Sequence, residues 1–258
     1  MRRTSVCVVA CLLLPGLAAC ASDSTTTTTV AADDLSGTLT VVAGASLTDA
    51  FGEIEHTFEA AHTGVDVELT FDGSAKLATA IIEGAPADLF ASADEANLAK
   101  VVDEGLTSGS PSVFATNVLQ IVVPEGNPLG IQGLEDLTNP DLKLSLCAPE
   151  VPCGKYAAQA FEADGLDVPP AGNQENVKGV LTQVQLGEAD AGIVYLTDVL
   201  AADGVDGIDL AADRQVVAAY PASVLADASN PEAAAVFLAF LTGDEAQSIL
   251  EDFGFGPP

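Results

Sequence analysis

The chain has no tryptophan, a single methionine, two histidines and three tyrosines among its 258 residues. Cations are scarce: eight Lys and Arg stand against 38 Asp and Glu, for a formal net charge of −30. That balance excludes nucleic acid as a partner, because binding to a phosphate backbone is driven by Lys and Arg contacts. Past Arg2 and Arg3 the only arginine is Arg214, so bidentate guanidinium clamps for carboxylate ligands are poorly supplied, as are tryptophan platforms for sugars. The two histidines, His56 and His62, fall on one expected helix. Neither a Gly-x-Ser-x-Gly nor a His-Glu-x-x-His string occurs, so the parts of a serine hydrolase or a zinc protease are missing and no enzyme is expected. Beyond the first residues no stretch approaches the roughly 20 uncharged apolar residues that a membrane-spanning helix needs.

What is present begins with an address. Arg2 and Arg3 precede an apolar run from Val6 to Leu17, which ends in Leu17-Ala18-Ala19-Cys20. Small residues before a cysteine at the end of so short a run match a signal peptide, residues 1–19, whose removal makes Cys20 the first residue and the carrier of a lipid anchor. The chain would then sit in the cell envelope, outside the cytoplasmic membrane. Residues 20–36 contain five consecutive threonines and are too polar and repetitive to bury a core, so they read as a tether. Loss of Arg2 and Arg3 takes the charge from −30 to −32, since residues 1–19 hold no Asp or Glu. Such a field repels anions at long range, so any anion site here must act through short contacts in a sheltered cleft. Export also leaves Cys147 and Cys153 as an even pair with five residues between them in an oxidising compartment, and they are expected to form a disulfide.

Short β-rich runs alternate with amphipathic segments through the rest of the chain. Strands are expected at Thr38–Ala43, Val65–Phe71, Asp88–Ala91, Val118–Val123, Lys143–Cys147, Asp190–Tyr195 and Gln215–Ala219. Leu47, Phe51, Ile54 and Phe58 follow the spacing of a buried helical face that Gly64 would stop, and Val177, Val180, Leu181 and Val184 do the same before Gly187. Strands alternating with helices imply an α/β fold with mostly parallel sheets covered on both faces, where ligands sit at the carboxyl ends of strands beside helix starts. Four such starts stand out: Gly44-Ala45-Ser46, with Asp49 completing a capping-box pattern; Gly73-Ser74; Pro152-Cys153-Gly154; and Asn176-Val177. Each Ser or Asn alone reads as a simple cap. Several helix starts converging on one cleft would instead bind an anion through backbone N–H groups with no lysine required.

The segments VVAGASLTDAF at 41–51, FDGSAKLATAIIEGAPADLFASADEANL at 71–98, FATNVLQIVVPEGNP at 114–128, GEADAGIVY at 187–195 and FGFGPP at 253–258 resemble, in order, the periplasmic molybdate-binding proteins of ABC importers. The resemblance implies a two-lobed binding protein, each lobe a mixed, mostly parallel sheet flanked by helices. Lobe I would comprise residues 37–115 and 221–258 and lobe II residues 116–220, joined by crossover strands near Thr116–Val123 and Val216–Pro221. It further implies that the cleft holds molybdate or tungstate, with molybdenum present only as the oxyanion, as transported ligand and with no cofactor. The partners implied are an importer's permease and ATPase subunits, and the chain itself would be a monomer. The family's ligand positions fall on Ser46 and Ser74, each offering a hydroxyl and an N–H; on Cys153 and Val177, each offering an N–H; and on the Tyr195 phenol. Two positions depart from the family: Asp72 stands where a glycine is usual and Cys153 where an alanine is usual. Asp72 places a potential acceptor near the pocket and would bear on rejection of protonated phosphate. Rival readings are a ferric-ion binder using Tyr156, Tyr195 and Tyr220 with abundant carboxylates, a sulfate or phosphate binder, and a surface lipoprotein that binds nothing.

Overall fold

The computed structural model describes residues 35–163, 165–167 and 173–258. The signal peptide, Cys20 and nearly all of the tether lie outside the described residues.

Strand β1 (Gly37–Gly44) runs parallel to β2 (Val65–Asp72) on one side and to β3 (Leu89–Ala91) on the other. β3 is followed by β8 (Val217–Leu225), which is antiparallel to it, and β8 by the long β4 (Thr107–Pro124), again antiparallel. Beyond β4 lie β6 (Ala191–Tyr195) and then β5 (Leu144–Ser145), which is parallel to β6, while β7 (Val205–Asp209) pairs with the distal part of β4. β4 and β8 are therefore shared spines. Around Ala115–Val118 and Val217–Tyr220 they pair with each other between the β1 side and the β6 side of the molecule.

Among the described residues eight α-helices cover these sheets: α1 (Thr48–Ala61), α2 (Ser74–Ile82), α3 (Glu95–Asp103), α4 (Pro152–Ala163), α5 (Val177–Gln185), α6 (Leu196–Leu200), α7 (Pro231–Leu241) and α8 (Asp244–Asp252). The apolar stripe of α1 explains its place: Leu47, Phe51, Ile54 and Phe58 are all fully buried. Phe58 meets Phe237 of α7 edge-on, with ring centroids 4.9 Å apart, and Phe51 lies 5.8 Å from Phe114 of β4. Burying each such ring stabilises the fold by roughly 1.5–3 kcal/mol, which fixes α1 and the turn before it to the first sheet. On the other side Val177, Val180, Leu181 and Val184 of α5 are buried as their spacing requires, and the chain leaves the helix through Gly187 at a positive φ of 70°.

The structure departs from the expected elements in four places. β4 begins at Thr107, not Val118; its first stretch, Thr107–Ser112, lacks apolar alternation and pairs with β8 through an irregular register. β8 runs on to Leu225 through Pro221, which is tolerated because it lies opposite Val113 beside the Val113/Ala115 irregularity. β7 has only Val205 buried, so it carries no period-2 signal. The strand expected at Lys143–Cys147 shrinks to Leu144–Ser145, while Cys147 makes an isolated bridge to Gln174.

Candidate functional site

Four chain turns converge where β1, β2 and β6 end. Ala45 and Ser46 form a short 3-10 turn before α1, Gly73 is the N-cap of α2, Pro152 and Cys153 open α4, and Val177 opens α5. With Ala93, Val151, Asn176 and Tyr195 these residues line one small cavity. It is far smaller than the open groove lined by Lys76, Lys100 and Glu150. Among the described residues that line the cavity there is no Asp, Glu, His, Lys or Arg.

The polar groups in the wall are set up as donors. Ser46 Oγ lies 2.8 Å from the Tyr220 hydroxyl, and Asn117 Nδ2 lies 3.4 Å from that same hydroxyl and 2.9 Å from Thr197 Oγ1. The orientation of the Asn117 amide is fixed by Val118 N–H, which donates to Asn117 Oδ1 at 2.9 Å. Asn117 Nδ2 can only donate, so the Tyr220 oxygen accepts from it, while either hydroxyl of the Tyr220–Ser46 pair can donate to the other. With Tyr220 donating, the Ser46 proton is left for the cleft. Ser74 is arranged in the same way, since its Oγ accepts from Ala93 N–H at 3.0 Å and keeps its own proton to give. Tyr195 is almost fully buried, and its hydroxyl has no hydrogen-bond partner among the described residues. Burial, with smaller contributions from Tyr220, Tyr156 and two aspartates, pushes its pKa well above the ordinary phenol value, so it is a neutral donor at any physiological pH. The first N–H groups of α2, α4 and α5 have no partners within their own helices and add partial positive charge. Together these groups form a site rich in hydrogen-bond donors, with no carboxylate or imidazole among the described residues that line it.

Neither serine is a cap, which corrects the simpler reading of both motifs. The N-cap of α1 is Leu47 and makes no side-chain bond, so the Ser46/Asp49 capping box does not form. Ser74 is already the first residue of α2. Asn176 does cap, its Oδ1 accepting from Gly179 N–H at 3.0 Å. All five residues singled out for ligand contact, Ser46, Ser74, Cys153, Val177 and Tyr195, lie in the wall. Asp72 does not. Its Oδ1 accepts from Gly73 N–H and Asn176 Nδ2, and its Oδ2 pairs with Lys76 at 2.7 Å. Burial opposes its charge, but these donors outweigh burial and hold its carboxyl below the usual range. Cys147 and Cys153 are joined in a disulfide, which ties the loop after β5 to the start of α4. Gly154 is needed beside it, since a Cβ there would stand 2.1 Å from the Ala148 carbonyl oxygen.

A family model described as a bacterial extracellular solute-binding protein matches residues 39–256. The chain belongs to that family. This solute-binding protein is 38% identical over 252 residues, 97% of each chain, to the molybdate-binding protein ModA of Mycobacterium tuberculosis. It is 34% identical over 230 residues to ModA of Escherichia coli, covering 85% of this chain and 89% of that one. In structure it resembles the periplasmic molybdate-binding protein of Azotobacter vinelandii, with a TM-score of 0.75 and 21% identity over 85% of this chain and 99% of that one. The fold is thus that of the two-lobed periplasmic binding proteins, and the family is one of transport proteins rather than enzymes.

Sequence reasoning missed several parts of the site in this solute-binding protein. Ala93 contributes the N–H that orients Ser74; its signal was hidden because the residue is apolar and acts through its backbone. Asn117 and Tyr220 stand behind Ser46 from strands 71 and 174 residues away, which no local motif encodes. The terminal FGFGPP segment has a structural part to play: Gly256 exchanges two backbone bonds with Thr116, and the Phe255 ring packs 5.5 Å from Tyr220. Of the tyrosines of the ferric reading, Tyr156, Tyr195 and Tyr220, all three have their pKa raised by burial, and only Tyr195 is among the residues that line the cavity. Among the described residues no group of three or more His, Cys, Asp or Glu side chains could hold a metal ion.

Proposed function

We propose that this protein captures a tetrahedral oxyanion, molybdate or tungstate, in the cleft between lobe I (37–115 and 221–258) and lobe II (116–220) and delivers it to an ABC importer. Its export by residues 1–19 and its anchoring through a lipid on Cys20 belong to the same proposal. One observation carries the choice of ligand: the cavity wall offers the hydroxyls of Ser46, Ser74 and Tyr195 and the helix starts at Cys153 and Val177, with no carboxylate and no cation among them. Molybdate, tungstate and sulfate are fully deprotonated dianions near neutral pH and need only donors. Phosphate retains a proton, and the residues lining the cavity offer no carboxylate to receive it. An unpaired buried polar group costs about 1–3 kcal/mol, so phosphate is disfavoured by about tenfold or more. Sulfate has the right charge but is the smaller tetrahedron, and donors fixed by packed cores on two lobes cannot all close on it. The relatives named for molybdate support the same choice.

Cys153 replaces the family's usual alanine at a position that would act through its backbone N–H, so its side chain is free to serve the disulfide. The test is a calorimetric series with molybdate, tungstate, sulfate, phosphate and ferric citrate. Tight binding of the first two, with sulfate far weaker and phosphate weaker by at least about tenfold, is the expected result. Sulfate or phosphate matching molybdate, or binding of iron alone, would overturn the reading.

A further inference from the structure

Resting on the oxyanion reading of the cleft, we propose that Lys178 and Asp49 form a latch that holds the two lobes closed and slows release of the anion, with Asp198 as the residue that holds Lys178 in position. Lys178 directly follows Val177 at the start of α5. Its ammonium lies 3.2 Å from Asp198 Oδ1 and 2.7 Å from Asp49 Oδ2. Asp198 belongs to α6 of the same lobe, is fully buried, and its Oδ2 accepts from Tyr195 N–H at 3.1 Å. Asp49 belongs to the first turn of α1 in the other lobe, three residues after Ser46. A single ammonium therefore joins the elements that carry Ser46, Val177 and Tyr195, one from lobe I and two from lobe II. The Lys178–Asp198 contact lies within lobe II and survives opening. The Lys178–Asp49 contact crosses the cleft and exists only when the lobes are together.

Other polar contacts also cross the cleft, among them the hydrogen bond from Asn176 Nδ2 to Asp72 Oδ1 at 3.2 Å and two further ion pairs. Lys76 and Glu175 are mostly exposed and 3.2 Å apart, so water and salt screen them. Lys155 reaches Asp94 Oδ2 at 3.3 Å, a longer contact than the 2.7 Å from Lys178 to Asp49, and Asp94 Oδ1 caps α3, so no variant of Asp94 tests that pair without disturbing the helix. Lys178 is only 28% exposed and already oriented by a buried partner, so its bond to Asp49 loses little side-chain entropy when the lobes meet. Close packing across the same boundary is visible at Gly73, where a Cβ would stand 2.1 Å from the Glu175 carbonyl oxygen.

Asp49→Asn tests the latch, because Asp49 is 42% exposed and its neutral isostere leaves the core untouched. Stopped-flow dissociation of molybdate is measured for the parent and the variant in about 20 mM and about 500 mM NaCl, with thermal melts of both, ligand-free and saturated. The expected result is a dissociation rate raised about 2- to 5-fold at low salt, the range for a partly exposed ion pair. Association should stay within about twofold. The parent rate should rise toward the variant's at high salt while the variant's stays flat. The melting temperature should fall only in the saturated form. Asp49→Glu, which restores the carboxylate, should recover part of the slow release. Dissociation and salt dependence equal to the parent's, or an equal loss of melting temperature with and without ligand, would overturn the latch. A parent that binds none of the four oxyanions would overturn the functional reading itself.

Discussion

Tyr195→Phe separates binding from folding more cleanly than any other change at this site. Tyr195 lines the cavity, and its phenol oxygen is buried and makes no hydrogen bond to any described residue. A hydrogen bond from it to a dianion is worth roughly 1.5–3 kcal/mol, so removing the hydroxyl should weaken molybdate binding about 10- to 100-fold. The effect on the ligand-free protein should have the opposite sign or none, because the variant deletes a buried polar atom without a protein partner while keeping the ring. That ring packs 5.9 Å from Tyr220 and is unaffected by the change. Ligand-free stability in urea should therefore match the parent or exceed it by up to about 1 kcal/mol. Tyr220→Phe is the contrast, since it breaks the bonds to Ser46 and Asn117 and should lower both affinity and ligand-free stability. Calorimetry and urea melts on the three proteins decide the matter. If Tyr195→Phe binds molybdate as tightly as the parent, the phenol is not a ligand donor and the orientation argument for the cavity is wrong.

Three further outcomes follow from the same geometry. Thiol counting on denatured, unreduced protein should find neither Cys147 nor Cys153 free, and replacing both by alanine should cost about 2 kcal/mol in the chain-entropy account of a loop with a separation of six residues, with the Cys153 N–H still able to bind. Asp72→Gly should leave the order of anion preference unchanged, because the Asp72 oxygens are engaged by Gly73, Asn176 and Lys76 and Asp72 itself is not among the residues lining the cavity; phosphate affinity falling only in this variant would contradict that placement. Molybdate affinity should be flat between about pH 6 and pH 9, since Tyr195, the one titratable side chain in the wall, has its folded pKa raised and is protonated throughout. By the same sign, the part of stability linked to the neutral Tyr195 phenol is fully present below the unfolded phenol value near 10 and is lost only as pH rises above it. The carboxyl of Asp72, held low, behaves oppositely: its contribution is present above the unfolded value of 3.8 and is lost as pH falls through the folded one.

Most of the fold was legible where periodicity and burial agree. The α1 stripe of Leu47, Phe51, Ile54 and Phe58 and the α5 stripe of Val177, Val180, Leu181 and Val184 are buried as their spacing demands. The sequence was less informative where pairing alone makes a strand. The stretch from Thr107 to Ser112 and β7 are extended because β8 and β4 lie beside them, not because their side chains alternate. At the site, the helix starts were visible as glycine-serine turns after strands, and the family resemblance supplied Tyr195. The serines were legible as polar residues at the right places but not as donors, because their orientation depends on Ala93 and on Tyr220 and Asn117, brought up by distant strands. Asp72 shows the converse: a carboxylate next to the cavity in sequence is engaged by two local donors, Gly73 and Lys76, and by Asn176 from a distant part of the chain.

The central claim is that a wall of neutral donors selects a fully deprotonated tetrahedral anion of molybdate's size. One competition titration tests it most directly: molybdate added to protein saturated in turn with phosphate and with sulfate, followed by calorimetry at pH 7. The account predicts that molybdate displaces both, with phosphate at least about tenfold weaker than molybdate and sulfate far weaker. Phosphate or sulfate that resists displacement at equal concentration would contradict it.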